Sequence, residues 1–136
     1  MTDASEIKAF FQSFADALMV GDRQKYAEFF KLPIGLLYPS KVVTVDDLDI
    51  LGIELCRVTE EVRSRLVGSL VANPIASKIR DGAFPVKVRY TMRSLSGQDM
   101  GVFTSDYYCE VQPDGKFLIS FASFASCELL KKLEER

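Results

Sequence analysis

Three observations predict an α+β fold. Apolar residues recur at helical spacing through the first half of the chain and alternate with a period of two through the second half, and breaks built from Gly, Pro and Asp divide the segments. A phenylalanine-rich helical stripe needs a broad apolar surface to cover, and a curved sheet with one apolar face supplies it.

The first helix is expected from about Ser5 to Val20. Asp3 and Glu6 stand at capping spacing, Ile7, Phe10, Phe11, Phe14 and Leu18 form one stripe, and Gly21 offers a stop. Asp22 can cap a short second helix carrying Tyr26, Phe29 and Phe30, which Pro33 would end. Pro33 to Val45 is apolar, partly β-branched and interrupted by Tyr38-Pro39-Ser40, which reads as two short strands or a hairpin. A third helix is expected to start near Thr44 to Asp46 and to end at Gly68. Its stripe is Leu48, Leu51, Leu55, Val58, Val62 and Leu66, with a Glu61–Arg65 pair at i,i+4.

Ile75 to Arg80 alternates weakly before the Asp81-Gly82 turn, so a strand is expected there. The next run sets Phe84, Val86, Val88, Tyr90 and Met92 against Pro85, Lys87, Arg89, Thr91 and Arg93. That is the pattern of a half-buried strand. After Ser96-Gly97-Gln98-Asp99, a second strand puts Phe103, Ser105, Tyr107, Cys109 and Val111 on one side, with Thr104, Asp106, Tyr108 and Glu110 on the other. Pro113-Asp114-Gly115 then turns into a third, where Phe117, Ile119, Phe121 and Ser123 share the inner parity and Leu118, Ser120, Ala122 and Phe124 the outer. Leu129, Leu130 and Leu133 fall at helical spacing in a charged tail.

The 136 residues fit one domain spanning 1–136. A chain of that size buries about two thirds of its unfolded surface and requires no disulfide or metal staple. Net charge is −2 with both signs interspersed, so no nucleic-acid partner is expected. Cys56, Cys109 and Cys127 are odd in number and lack metal-ligand spacing, which fits a reducing compartment and predicts neither metal nor cofactor. With no cationic, apolar leader and no apolar run near the roughly 20 residues of a membrane span, a cytoplasmic protein without membrane contact is expected. The chain contains no histidine, which removes Ser-His and Cys-His mechanisms. Any chemistry must come from carboxylates, Tyr, Lys, Arg or Cys.

The segments Phe14-Ala15-Asp16-Ala17-Leu18, Gly21-Asp22, Phe29-Phe30 and Asp114-Gly115-Lys116-Phe117-Leu118-Ile119, in this order, resemble the nuclear transport factor 2-like superfamily, which includes SnoaL-like cyclases and ketosteroid isomerases. The resemblance covers nearly the whole chain. It implies a cone: a strongly curved, mixed or antiparallel sheet wrapped around the three helices of the N-terminal half, with a pocket at the open end and a homodimer through the outer sheet face. The fold hosts enzymes, ligand binders and protein-binding members alike, so it does not fix function.

Aligned with the ketosteroid isomerases, the helix-one tyrosine that donates to the oxyanion falls on Phe14, which has no donor. The aspartate base before a proline falls on Tyr38, and the second, protonated aspartate falls on Tyr107. Tyrosine titrates near 10 and is a poor base at neutral pH. The Arg-between-aspartates arrangement of limonene epoxide hydrolases would need Arg89 and Asp106 inside, where parity does not put them. Cys109 has no evident neighbour to activate it as a nucleophile.

The expected pocket is lined by Phe14, Tyr26, Tyr38, Tyr90, Ser105, Tyr107 and Phe121, and the expected dimer face by Arg89, Asp106, Tyr108, Leu118 and Phe124. The first functional expectation is a small apolar ligand held without catalysis. The second is a SnoaL-like enzyme (isomerase, cyclase or dehydratase) pairing Tyr38 or Tyr107 with Asp16 or Asp22. The third is a homodimeric protein-interaction module.

Overall fold

The computed structural model describes residues 3–26, 28–38, 41–75 and 82–123. Its elements are α1 (Asp3–Val20), α2 (Arg23–Tyr26), β1 (Phe30–Leu37), β2 (Val42–Val45), α3 (Leu48–Ser64), β3 (Val67–Ile75), β4 (Ala83–Ser94), β5 (Asp99–Val111) and β6 (Phe117–Ser123). The strands form one open, mixed sheet in the order β2-β1-β6-β5-β4-β3. The β1/β6 pair is parallel and the others are antiparallel. Register shifts in four of the five strand pairs bend the sheet, as bulges do, and the result is the cone expected from the sequence.

Several local expectations are met. Gly21 ends α1, and the Asp22 carboxylate accepts from Gln24 N at 2.9 Å to start α2. Pro33 to Val45 folds as the β1/β2 hairpin, with Leu37 opposite Val42. Glu61 and Arg65 pair at 3.2 Å.

Others are corrected. Helix α2 is a single turn, and Phe30 already belongs to β1. Pro33 lies inside β1, before its ladder with β2 begins at Ile34 and within the irregular stretch opposite β6, so its missing N–H costs no ladder bond. Helix α3 starts later than expected, at Leu48, because Asp47 caps it by accepting from Asp49 N at 2.7 Å and Ile50 N at 3.2 Å. It ends at Ser64, where Leu66 takes a positive φ of 64°. Gly68, expected as the helix stop, is a strand residue. A Cβ there would meet the Leu95 backbone at 2.9 Å. The strand β3 over Val67–Ile75 was not expected, while the strand expected over Ile75–Arg80 lies beyond Ile75 outside the described residues, as does the tail from Phe124 onward.

The core lies between α1 and the concave face of the sheet. Ile7, Phe11, Phe14, Ala15 and Leu18 of α1 meet Leu70, Ala72, Val86, Val88, Tyr90, Tyr107, Cys109 and Ile119, and Leu51, Leu55, Val58 and Val62 of α3 join the same buried cluster. α1 is also bound to the edge of the sheet. The Gln12 side-chain amide donates to Leu70 O at 2.9 Å and accepts from Ala72 N at 2.9 Å, so it pairs with β3 as a neighbouring strand would. Lys8 adds donations to Ala72 O and to Asn73 Oδ1, both at 3.1 Å. The Arg63 guanidinium closes the other end of α1 by donating to Met19 O and Val20 O.

Gln12→Ala is expected to cost about 2 kcal/mol, because it strips two part-buried backbone groups of their partner. Gln12→Glu keeps the acceptor for Ala72 N but sets a carboxylate oxygen against the Leu70 carbonyl. It is expected to cost at least as much, read as a lower urea midpoint with unchanged m-value.

Candidate functional site

The inner wall of the cone carries an aromatic and hydroxyl cluster. β4 and β5 run antiparallel with Tyr90 opposite Phe103 and Val86 opposite Tyr107, so Tyr90 and Tyr107 share the concave face on neighbouring strands. Their hydroxyls are 2.7 Å apart and buried. Phe11 and Phe14 reach down from α1 to within 4.8 and 6.2 Å of the Tyr107 ring, and Phe103 stacks on Tyr90 at 5.0 Å. Ser105 lies on the same face, and its buried Oγ has no hydrogen-bond partner among the described residues. Phe11, Phe14, Tyr90, Ser105 and Tyr107 each expose 2% or less of their surface, so side chains fill the space between α1 and the sheet.

Tyr26 and Tyr38, expected beside them, stand elsewhere. The Tyr26 hydroxyl meets Thr59 Oγ1 at 3.2 Å between α2 and α3, and Thr59 in turn donates to Leu18 O at 2.5 Å. Burial raises the Tyr26 pKa above the usual 10.0, with the Thr59 hydrogen bond opposing that shift. Tyr38, just beyond β1, donates to Glu54 Oε2 at 2.5 Å, Arg57 Nη1 is 3.6 Å from the same oxygen, and Lys41 Nζ stands 5.5 Å from the Tyr38 ring centre. Phe121 is not on the inner wall. The register shift between Tyr108 and Cys109 inserts Ser120 as an extra residue in β6, which turns Ala122 inward opposite Tyr107 and Phe121 outward opposite Tyr108. The outward ring lies over Gly35, where a Cβ would come within 2.7 Å of it, and contacts the Tyr108 ring at 6.1 Å.

The carboxylates considered for acid–base work are not near these tyrosines. Asp16 accepts from Gln12 Nε2 on the surface of α1, and Asp22 is the α2 cap. Glu54 is the carboxylate that meets a tyrosine. Its position on the polar side of α3 gives no sequence signal of that contact. Burial pushes the Cys109 thiol up to about 12, which leaves no thiolate at neutral pH. Among the described residues no three Cys, Asp or Glu side chains gather as a metal site, and no helix is long and apolar enough to cross a membrane.

On the outer face Lys87 and Asp106 stand 3.9 Å apart, Arg93 and Asp99 3.2 Å, and Lys31 and Glu110 3.2 Å. Arg89 has no ion pair among the described residues, and it lines a shallow cavity of about 440 Å³ with Asn73, Thr91 and Val102. Ile75, Val102 and Tyr108 expose 47, 48 and 49% of their surface beside these charges. Leu118 is partly exposed, and Phe124 lies outside the described residues.

The same architecture recurs in solved structures of low sequence identity. The chain is similar to an NTF2-like protein of unknown function from Shewanella oneidensis MR-1 (TM-score 0.64, 16% identity, 88% of this chain and 95% of that one). It is also similar to a cystatin-like-fold protein of unknown function from Nostoc punctiforme (0.63, 11%, 88% and 86%), and to a provisionally assigned ketosteroid isomerase from Shewanella frigidimarina (0.57, 12%, 85% and 90%). The protein therefore has the nuclear transport factor 2-like, cystatin-like cone fold. No protein-family model matches the sequence, and no curated protein does.

Two measurements probe the inner wall. Tyr90→Phe and Tyr107→Phe are each expected to cost about 1 kcal/mol, and the double variant less than their sum, because the first substitution already removes the shared bond. The Cys109 thiol ionises near 9.0 in the unfolded chain and near 12 in the folded one. Its contribution to stability is therefore complete below pH 9 and declines above it by about 1.4 kcal/mol per pH unit. Urea midpoints at rising alkaline pH should fall less steeply for Cys109→Ala than for the parent.

Proposed function

We propose that the protein is a non-catalytic homodimer whose contact surface is the outer face of β3–β6. The observation that carries this reading is the combination of a filled interior with an apolar, charged outer face. No described helix covers that face, and large exposed apolar side chains on one surface mark an interaction site. A two-fold contact must be self-complementary, and this face offers both signs. Arg89 has no ion pair among the described residues, while Asp106 has only the distant Lys87. Tyr108 with Phe121 against it supplies a broad aromatic anchor. The absence of an isomerase-like donor at Phe14 and the placement of Asp16 and Asp22 on helix surfaces support the non-catalytic part.

A second reading keeps the interior as a chamber for a small, neutral, largely apolar ligand. The Ser105 hydroxyl supports it, since a buried hydroxyl without a partner among the described residues, on the same face as Tyr90 and Tyr107, is a ready polar contact. Such a ligand would have to part Phe14 from Tyr107. Binding would raise the melting temperature of the parent protein and not of Tyr107→Phe.

Sedimentation velocity across the micromolar range is expected to show a monomer–dimer equilibrium. Arg89→Glu should weaken it roughly tenfold through like-charge contact, and adding Asp106→Arg should restore it. A parent chain that stays monomeric, or a double variant no better than the single, would refute the dimer.

A further inference from the structure

On α1, the surface turned away from the sheet carries two grooves that share Ser13, Glu28 and Phe29. One, of about 500 Å³, runs between the first turns of α1 and the start of β6. The other, of about 400 Å³, runs between the end of α1 and α2. Together they follow the helix from Glu6 to Val20, a rise of about 21 Å. The floor of the first is aromatic: Phe10 touches Phe117 at 4.7 Å and Phe29 at 5.4 Å, and Phe10 is only partly buried. Val20, 67% exposed, supplies an apolar contact at the far end.

Charge along the trough is negative in balance. Its described lining holds four carboxylates, Glu6, Asp16, Asp22 and Glu28, against two lysines, Lys25 and Lys116. Lys25 is engaged by Glu28 in an exposed pair at 3.8 Å.

We propose that this trough docks a basic amphipathic helix of a partner protein. An apolar side chain of that helix would lie on the Phe10/Phe29/Phe117 floor, and its Lys or Arg residues would face Glu6, Glu28 and Asp16. The length fits a helix of about four turns, the spacing at which apolar anchors recur on one face. The sign of the lining selects a cationic partner over an acidic one. The site meets the outer sheet face only at Leu118, which lines the first groove, and stands whether or not that face dimerises.

The test uses the full chain and a fluorescein-labelled leucine/lysine amphipathic peptide of about 18 residues, with a leucine/glutamate peptide of the same pattern as control. The lysine peptide is expected to raise anisotropy saturably, with affinity falling as salt rises, and the glutamate peptide is expected not to bind. Glu6→Lys/Glu28→Lys, checked for an unchanged melting temperature, should weaken the lysine peptide roughly tenfold. Amide shift changes should centre on Phe10, Phe29 and Phe117. Equal binding of both peptides, unchanged affinity in the double variant, or shift changes centred on the outer sheet face around Tyr108 would overturn the proposal.

Discussion

The two hydrogen bonds between the Gln12 amide and the β3 backbone set the geometry on which the inner wall depends. β3 is the last strand of the sheet, so its outward N–H and C=O groups need partners or water. A side-chain amide presents one donor and one acceptor at the right spacing, and it ties the edge of the sheet to the middle of α1. Residues Phe11 and Phe14, immediately before and shortly after Gln12, are thereby held over Tyr107. The helix enters the cone at an angle set by a polar contact, and the aromatic packing follows from it.

Arg63 and Thr59 perform a related task at the other end of α1, where the last carbonyls of that helix are met by side chains of α3. α1 is thus fixed by an edge strand at its middle and by a second helix at its terminus. A ligand seeking the space beneath it would have to displace the Phe11 and Phe14 rings packed against Tyr107. The packed interior and the bare outer face have this common origin.

Much of the fold could be read from the sequence. The Phe stripe of α1, the alternation in β4 and β5 and the Asp-Gly turn before β6 each state their own periodicity. β3 was hidden because its register shift between Val67 and Ser69 breaks the alternation, and because Gly68, Asn73 and Pro74 are poor strand formers that an edge strand tolerates. The inner wall was legible as far as strand parity holds. Tyr90, Ser105 and Tyr107 are gathered on one face, whereas Tyr26 and Tyr38 bond to Thr59 and Glu54 across helix contacts that periodicity does not encode. Gln12, the most consequential polar residue, looked like any solvent-facing position of an amphipathic helix.

The extra residue at Ser120 separates the two halves of β6 into different frames. Before it, odd-numbered positions face the core; after it, even-numbered ones do. Straightening the strand with Ser120 kept in the ladder would send a phenyl ring into the packed wall and a methyl group to the outer surface without any change in composition, whereas removing Ser120 would leave both facings as they are. On this strand the bulge decides which residues reach the core and which the surface, so straightening it is equivalent to a simultaneous exchange of the two.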